Sequence, residues 1–281
     1  MKKIKVGLAL GGGAARGLAH IGVLEVLERE RIPIDMIAGT SIGGMVGAFR
    51  ARGQDSSVMR EMALKLSPMK ILSLADLALP KSGLFGGKAV IKMLQKVMGK
   101  DVKFDELPMP LALVATDIIT GEEVVIDQGS VLEGVRASIS IPGIFTVAKR
   151  QNRYLVDGGL VNPVPVSVLK SMGADFIIAV NVIPDMSTRV SHFKKEGTKE
   201  WKEPNIFNVI LQSLYIGTYI IAKASTEGAD IAINPDTAKI NPGDFHRARE
   251  CIAQGELAAR EAMPEIKRKL SQAGGYDIVK S

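Results

Sequence analysis

The chain has 281 residues, 46% of them hydrophobic, a net charge of +6 and one cysteine. That size and apolar content support a full core in a single domain near the upper end of the usual range. The lone Cys251 excludes an intramolecular disulfide and any zinc site built from several cysteines, so a reducing, cytoplasmic compartment is expected.

The apolar run after Met1, Lys2 and Lys3 stops at Gly11 before the hydrophobic region of a signal peptide accumulates, and secretion is not expected. Residues 4–10 read as a strand that ends in Gly11, Gly12 and Gly13, and residues 18–29 carry Ile21, Leu24 and Leu27 at helical spacing. Residues 34–38 repeat the pattern: a short apolar run, the turn Gly39-Thr40-Ser41-Ile42-Gly43, then an apolar helix through Met45, Val46, Ala48 and Phe49. Residues 58–79 are rich in Met and Leu and interrupted by Pro68. Within a segment 58–87 they are either a lid over an acyl chain, to which Met adapts readily, or plain core helices.

Further strands are expected at 111–115, 124–127, 154–157, 176–182 and 230–233, with a helix at 164–172. This alternation predicts an α/β domain with a largely parallel central sheet flanked by helices. The charged stretch 186–204 reads as a surface loop. Residues 206–222 are apolar but interrupted by Asn208, Gln212 and Ser213, too short a clean run for a membrane span, and read as a buried or membrane-lying helix. A last helix is expected over 244–270, broken or kinked at Pro264.

Gly39 to Gly43 matches G-x-S-x-G, the strand-to-helix elbow that lifts a serine oxygen above a sheet edge. Because it follows a predicted strand and opens a predicted helix, Ser41 is the candidate nucleophile. The glycine loop 11–17 has the Gly12/Gly17 spacing of a Walker A loop, but Leu18 and Ala19 replace its Lys and Ser/Thr. A dinucleotide fingerprint fails at Ala14. Beside a serine elbow, the economical role for this loop is an oxyanion hole.

A serine needs a base. The chain has only His20, His192 and His246, of which His246 alone follows the Ser, Asp, His order of a triad, in a setting that resembles a helix start. The better partner is Asp157, at the end of the apolar run Tyr154, Leu155, Val156 and followed by Gly158 and Gly159; the competing reading is a simple turn aspartate.

Together the glycine loop with Arg16 and Gly17, the helix beginning at Leu18, the elbow and the Asp157-Gly158-Gly159 triplet resemble the bacterial patatin-like phospholipases, related to the neuropathy-target-esterase group. The stretch Ser138-Ile139-Ser140-Ile141-Pro142-Gly143-Ile144-Phe145 is similar to that family's run before its Asp motif. The resemblance implies a serine esterase or (lyso)phospholipase that works through a Ser41/Asp157 dyad, with no catalytic histidine, metal or cofactor. It further implies an oxyanion hole from Gly12, Gly13 and Ala14, with Arg16 facing the substrate headgroup. The sequence departs from the family at Ala14, where many members have a fourth glycine. An acyltransferase using the same acyl-serine, or a low-turnover binding member of the family, are the alternative functions.

The expected partner is a lipid or acyl-ester substrate. The positive charge suits peripheral contact with an anionic membrane surface, or marks only a solvated exterior. Nucleic acid is not expected, for no basic-aromatic module is present.

Overall fold

The computed structural model describes residues 4–67, 69, 83–99, 102–186, 203 and 205–274. The chain opens with β1 (Val6–Leu10), buried along its whole length, followed by a 3-10 turn at Ala14–Leu18 and α1 (Ala19–Arg29). β2 (Met36–Thr40), α2 (Ile42–Ala51) and α3 (Ser56–Leu64) come next. Then come β3 (Gly83–Phe85), α4 (Lys88–Met98), β4 (Leu111–Asp117), β5 (Glu123–Ile126), α5 (Val131–Ser138), β6 (Gly143–Phe145), β7 (Ala148–Arg150) and β8 (Arg153–Asp157). The described chain ends with α6 (Val166–Ser171), β9 (Phe176–Val180), α7 (Ile206–Thr226), β10 (Ile231–Ile233) and α8 (Ala248–Gln272).

The central sheet runs β10-β9-β1-β2-β4-β8-β7, with β5 also on β4. β10, β9, β1, β2 and β4 are parallel to one another, as the alternation of strands and helices requires. β5 and β8 both run antiparallel to β4. Their registers bring the chemistry together. Leu113 and Val114 pair with β2 on one side and with β5 on the other, whereas Ala115 and Thr116 pair with β5 and β8. β8 therefore occupies the same edge of β4 as β2, beyond the point where β2 turns away into α2. The end of β2 and the end of β8 meet head-on, with Thr40 opposite Val114 and Asp157 opposite Ala115.

Alternate residues of β1 feed two cores, as the two-residue period of a strand dictates. Val6, Leu8 and Leu10 join the core beneath α1, α3 and α8, while Ala9 joins the one beneath α6. α1 and α8 cross with backbones in close approach, since a Cβ on Gly22 would overlap the Ile252 carbonyl and one on Gly255 the Ala19 carbonyl.

Three expectations are refined here. α8 continues through Pro264, contrary to the predicted break. Its buried face runs unbroken past the proline from Ala259 and Met263 to Ile266 and Leu270, and this packing outweighs one missing N–H. α7 is not buried: Ile206, Ile210 and Ile220 are 76%, 50% and 62% exposed. Within 58–87, α3 is a core helix, with Met59 and Ala63 buried and Met62 packed against them. Residues 68 and 70–82 of that segment lie outside the described residues, as does almost all of the charged stretch, 187–202 and 204. Among the described residues no helix is long and apolar enough to cross a membrane.

Candidate active site

β2 delivers Ser41 to a turn whose backbone, φ 56° and ψ −126°, lies outside the regions open to ordinary residues. Such a conformation costs on the order of 1–3 kcal/mol and persists only where its surroundings over-determine it. The surroundings here are tight. A Cβ on Gly43 would overlap the Leu10 carbonyl, and one on Gly39 would sit 2.5 Å from Gly44 Cα. The Ser41 N–H is held by Ser138 Oγ at 2.8 Å, and Ser138 Oγ in turn donates to the Val114 carbonyl at 2.6 Å. The elbow is thus tied through α5 to the strand β4 beside it.

Asp157 arrives from the opposite direction along β4. Ser41 Oγ donates directly to its Oδ2 at 2.5 Å, and the Gly159 N–H donates to its Oδ1 at 2.8 Å. The main chain of Asp157 is fixed on both sides. Its N–H goes to the Ser140 carbonyl at 2.9 Å, and its carbonyl accepts from Thr116 Oγ1 at 2.9 Å. Gly158 is needed for the turn away from β4, because a Cβ there would strike the Val114 carbonyl. Burial pushes the Asp157 carboxyl up from 3.8 to about 6, against the opposing pull of the bonds from Ser41 and Gly159. A carboxylate with that proton affinity, in contact with a hydroxyl, is suited to act as a general base near neutral pH.

The glycine loop lies against the elbow: a Cβ on Gly12 would be 3.4 Å from Ser41 Cβ. Its donors divide clearly. Gly12 N–H is committed to the Pro163 carbonyl at 2.9 Å, which corrects its expected place in an oxyanion hole, while Gly11 N–H goes to Val180 and Ala15 N–H to Pro242. Gly13 and Ala14 N–H make no hydrogen bond among the described residues. Ala14 has φ 50°, a left-handed conformation that glycine would adopt without strain.

Arg16 is only 1% exposed, and its placement departs from the expected headgroup contact. Its Nε donates to the Ile240 carbonyl at 2.8 Å and its guanidinium lies 5.1 Å from the ring centre of Tyr215 on α7. It fastens the loop to two neighbouring segments. His20 also supports the loop, through a 2.7 Å bond from Nε2 to the Gly11 carbonyl; burial pushes it down to about 4, so it is neutral at physiological pH. His246 lies in a 3-10 turn, Phe245–Arg247. Neither described histidine bonds to Ser41 or Asp157, and His192 is outside the described residues. Among the described residues no three His, Cys, Asp or Glu side chains gather as a metal site.

The sequence alone does not single out Thr116, and it marks Ser138 only as the start of the stretch before the Asp motif, with no role assigned. Ser138→Ala leaves the Ser41 N–H without its partner, and a neutral hydrogen bond contributes about 0.5–1.5 kcal/mol. The expected result is a fall in kcat of up to roughly tenfold with KM unchanged, read on a short p-nitrophenyl ester. An equal rise in KM would instead assign Ser138 to substrate binding.

A family model described as patatin-like phospholipase matches residues 8–170, which include the glycine loop, Ser41 and Asp157. An uncharacterized NTE family protein of Mycobacterium tuberculosis is 34% identical over 197 residues, covering 70% of this chain and 54% of that protein. Human patatin-like phospholipase domain-containing protein 6 is 34% identical over 193 residues, covering 67% of this chain and 14% of that protein. The chain thus spans about half the length of the mycobacterial relative and a smaller share of the human one. In three dimensions, VipD from Legionella pneumophila has a similar fold, with a TM-score of 0.51 at 13% identity over 94% of this chain and 67% of that one.

Proposed function

The chain belongs to the patatin-like phospholipase family, and from that premise we propose that it hydrolyses fatty-acyl esters of lipids through an acyl-enzyme on Ser41. The observation that carries this reading is the direct 2.5 Å contact between Ser41 Oγ and Asp157 in a buried site. Asp157 takes the Ser41 proton as the oxygen attacks the acyl carbonyl. The N–H groups of Gly13 and Ala14 receive the charge of the tetrahedral intermediate, a role for which preorganised backbone donors are well suited. As the intermediate collapses and its acyl C–O bond breaks, protonated Asp157 gives its proton to the departing alcohol oxygen. Water, activated by the same carboxylate, then attacks the acyl-enzyme and releases the acid with Ser41 reprotonated. Arg16 and His20 hold the loop in place. No step needs a metal or cofactor.

The test is a panel of p-nitrophenyl esters from C2 to C16 and lysophospholipids, run with the parent chain and Ser41→Ala in the presence of EDTA. The expected outcome is turnover by the parent, undiminished by the chelator, and a loss of at least about a thousandfold in the variant. Equal turnover by both would overturn the reading. Faster acyl transfer to an added alcohol than to water would favour the transferase alternative.

A further inference from the structure

We propose that α7 and the turn after β4 form the surface by which this chain rests on a lipid layer, bringing the catalytic edge of the sheet to its substrate. This rests on the lipid hydrolase reading and names where that substrate surface is met. α7 carries no charged side chain from Ile206 to Ala222. Its inner face is fastened to the protein: Tyr215 donates to the Pro184 carbonyl at 2.9 Å, Tyr219 to Asp185 Oδ2 at 2.5 Å, and Ala222 is buried. Its outer face presents Ile206, Val209, Ile210, Ile216 and Ile220, each between 42% and 76% exposed, on one side of the helix, with the exposed Ser213 and Gly217 among them. At about 1.5 Å per residue this face is on the order of 20 Å long. A cluster of exposed large apolar side chains on one helix face marks an interaction site.

Three observations select a lipid layer as the occupant. α7 adjoins the chemistry through its inner side, since Thr218 Cγ2 lies 3.8 Å from the Cβ position of Gly159, the residue whose N–H holds Asp157. Ile118 and Ile119, 47% and 75% exposed, follow β4 directly, at the same edge of the sheet from which Ser41 projects, because β2 and β4 are parallel. A second apolar element therefore stands at the catalytic edge. The net charge of +6 repels a second copy of the chain and attracts an anionic lipid surface. A helix held by the protein on one face and apolar on the other lies in the interface plane, with its isoleucines at the boundary between headgroups and acyl chains.

The experiment is vesicle flotation with the Ser41→Ala chain, so that no lipid is consumed, using phosphatidylcholine vesicles with and without phosphatidylglycerol. The parent should float with both and more strongly with the anionic vesicles. The added substitutions Ile210→Glu, Ile216→Glu and Ile220→Glu should weaken binding by at least about tenfold. On the Ser41 background, the same three substitutions should lower hydrolysis of vesicle lipid in step, while the melting temperature and turnover of p-nitrophenyl acetate hold. Flotation of the triple variant equal to the parent, or no flotation of either, overturns the proposal. So does a dimer that the three substitutions dissociate without any change in flotation, which would assign the outer face of α7 to a second copy. Failure of the hydrolase reading would show separately, as absence of ester turnover with flotation intact.

Discussion

Asp157→Asn is expected to lower kcat by at least about a hundredfold, the lower range for loss of a general base, and at the same time to make the protein more stable at neutral pH. Both effects have one cause. The buried carboxyl has its proton affinity raised from 3.8 to about 6, so the folded state disfavours the ionised form that catalysis requires. Below about pH 3.8 the carboxyl is protonated whether the chain is folded or not, and no penalty exists. Between about pH 3.8 and about 6 the unfolded chain ionises while the folded carboxyl keeps its proton, so stability is lost across that window and levels off once the folded carboxyl titrates. The gap corresponds to roughly 3 kcal/mol. Asn stays neutral and can still accept from Gly159, so the variant escapes the penalty. Urea unfolding at pH 4 and pH 8 reads it directly: near-equal stability at the lower pH, and a gain of up to about 3 kcal/mol for the variant at the higher. A variant less stable at pH 8 by more than at pH 4 would reverse the assigned sign.

Gly43→Ala should be among the most disruptive single methyl groups at the described glycines, and it lies within the Ser41 elbow. It would enter the space of the Leu10 carbonyl, and the Gly11 carbonyl lies next in line. Neither is the flexible end of a side chain, so the start of α2 must move away from β1. Overpacking of this kind costs about 1–3 kcal/mol or more. The greater loss is in geometry, because Ser41 is two residues away and a displacement of about 1 Å can cost on the order of a hundredfold in rate. We expect turnover to fall by at least that factor, with a lower melting temperature. Gly217→Ala is the contrast. It adds a methyl to an exposed helical position with nothing within 4 Å and should raise stability by up to about 1 kcal/mol. Gly43→Ala with parental turnover would contradict the tight elbow described here.

Much of this site is legible in the amino-acid sequence. β1 and β2 are short β-branched and apolar runs closed by glycines, so both strand-loop-helix units can be read locally, and Ser41 and Asp157 stand at the ends of such runs. What cannot be read is which distant group completes each local feature. Gly12 and Gly13 are equivalent as letters, yet the Pro163 carbonyl takes the N–H of one and not of the other. Arg16 in a glycine loop suggests an anion, but its partner, Ile240, is 224 residues away. Ser138 is 97 residues from the N–H that it holds. α7 is apolar enough to read as either a buried or a membrane-lying helix, and only its position at the protein's edge, with Ile206, Ile210 and Ile220 exposed, excludes the first. Pro264 should break or kink a helix by local rules, and the helix runs on through it with a continuous buried face on both sides.

The most direct test of the central claim, that Ser41 is activated by Asp157 without a histidine, is the rate of covalent labelling by a fluorophosphonate as a function of pH. An adduct should form on Ser41 alone, at a rate that rises through about pH 6 as Asp157 ionises. His246→Gln should label at the parental rate, and Asp157→Asn should be slower by at least about a hundredfold. An adduct on another residue, or a His246→Gln variant as slow as Asp157→Asn, would contradict the dyad.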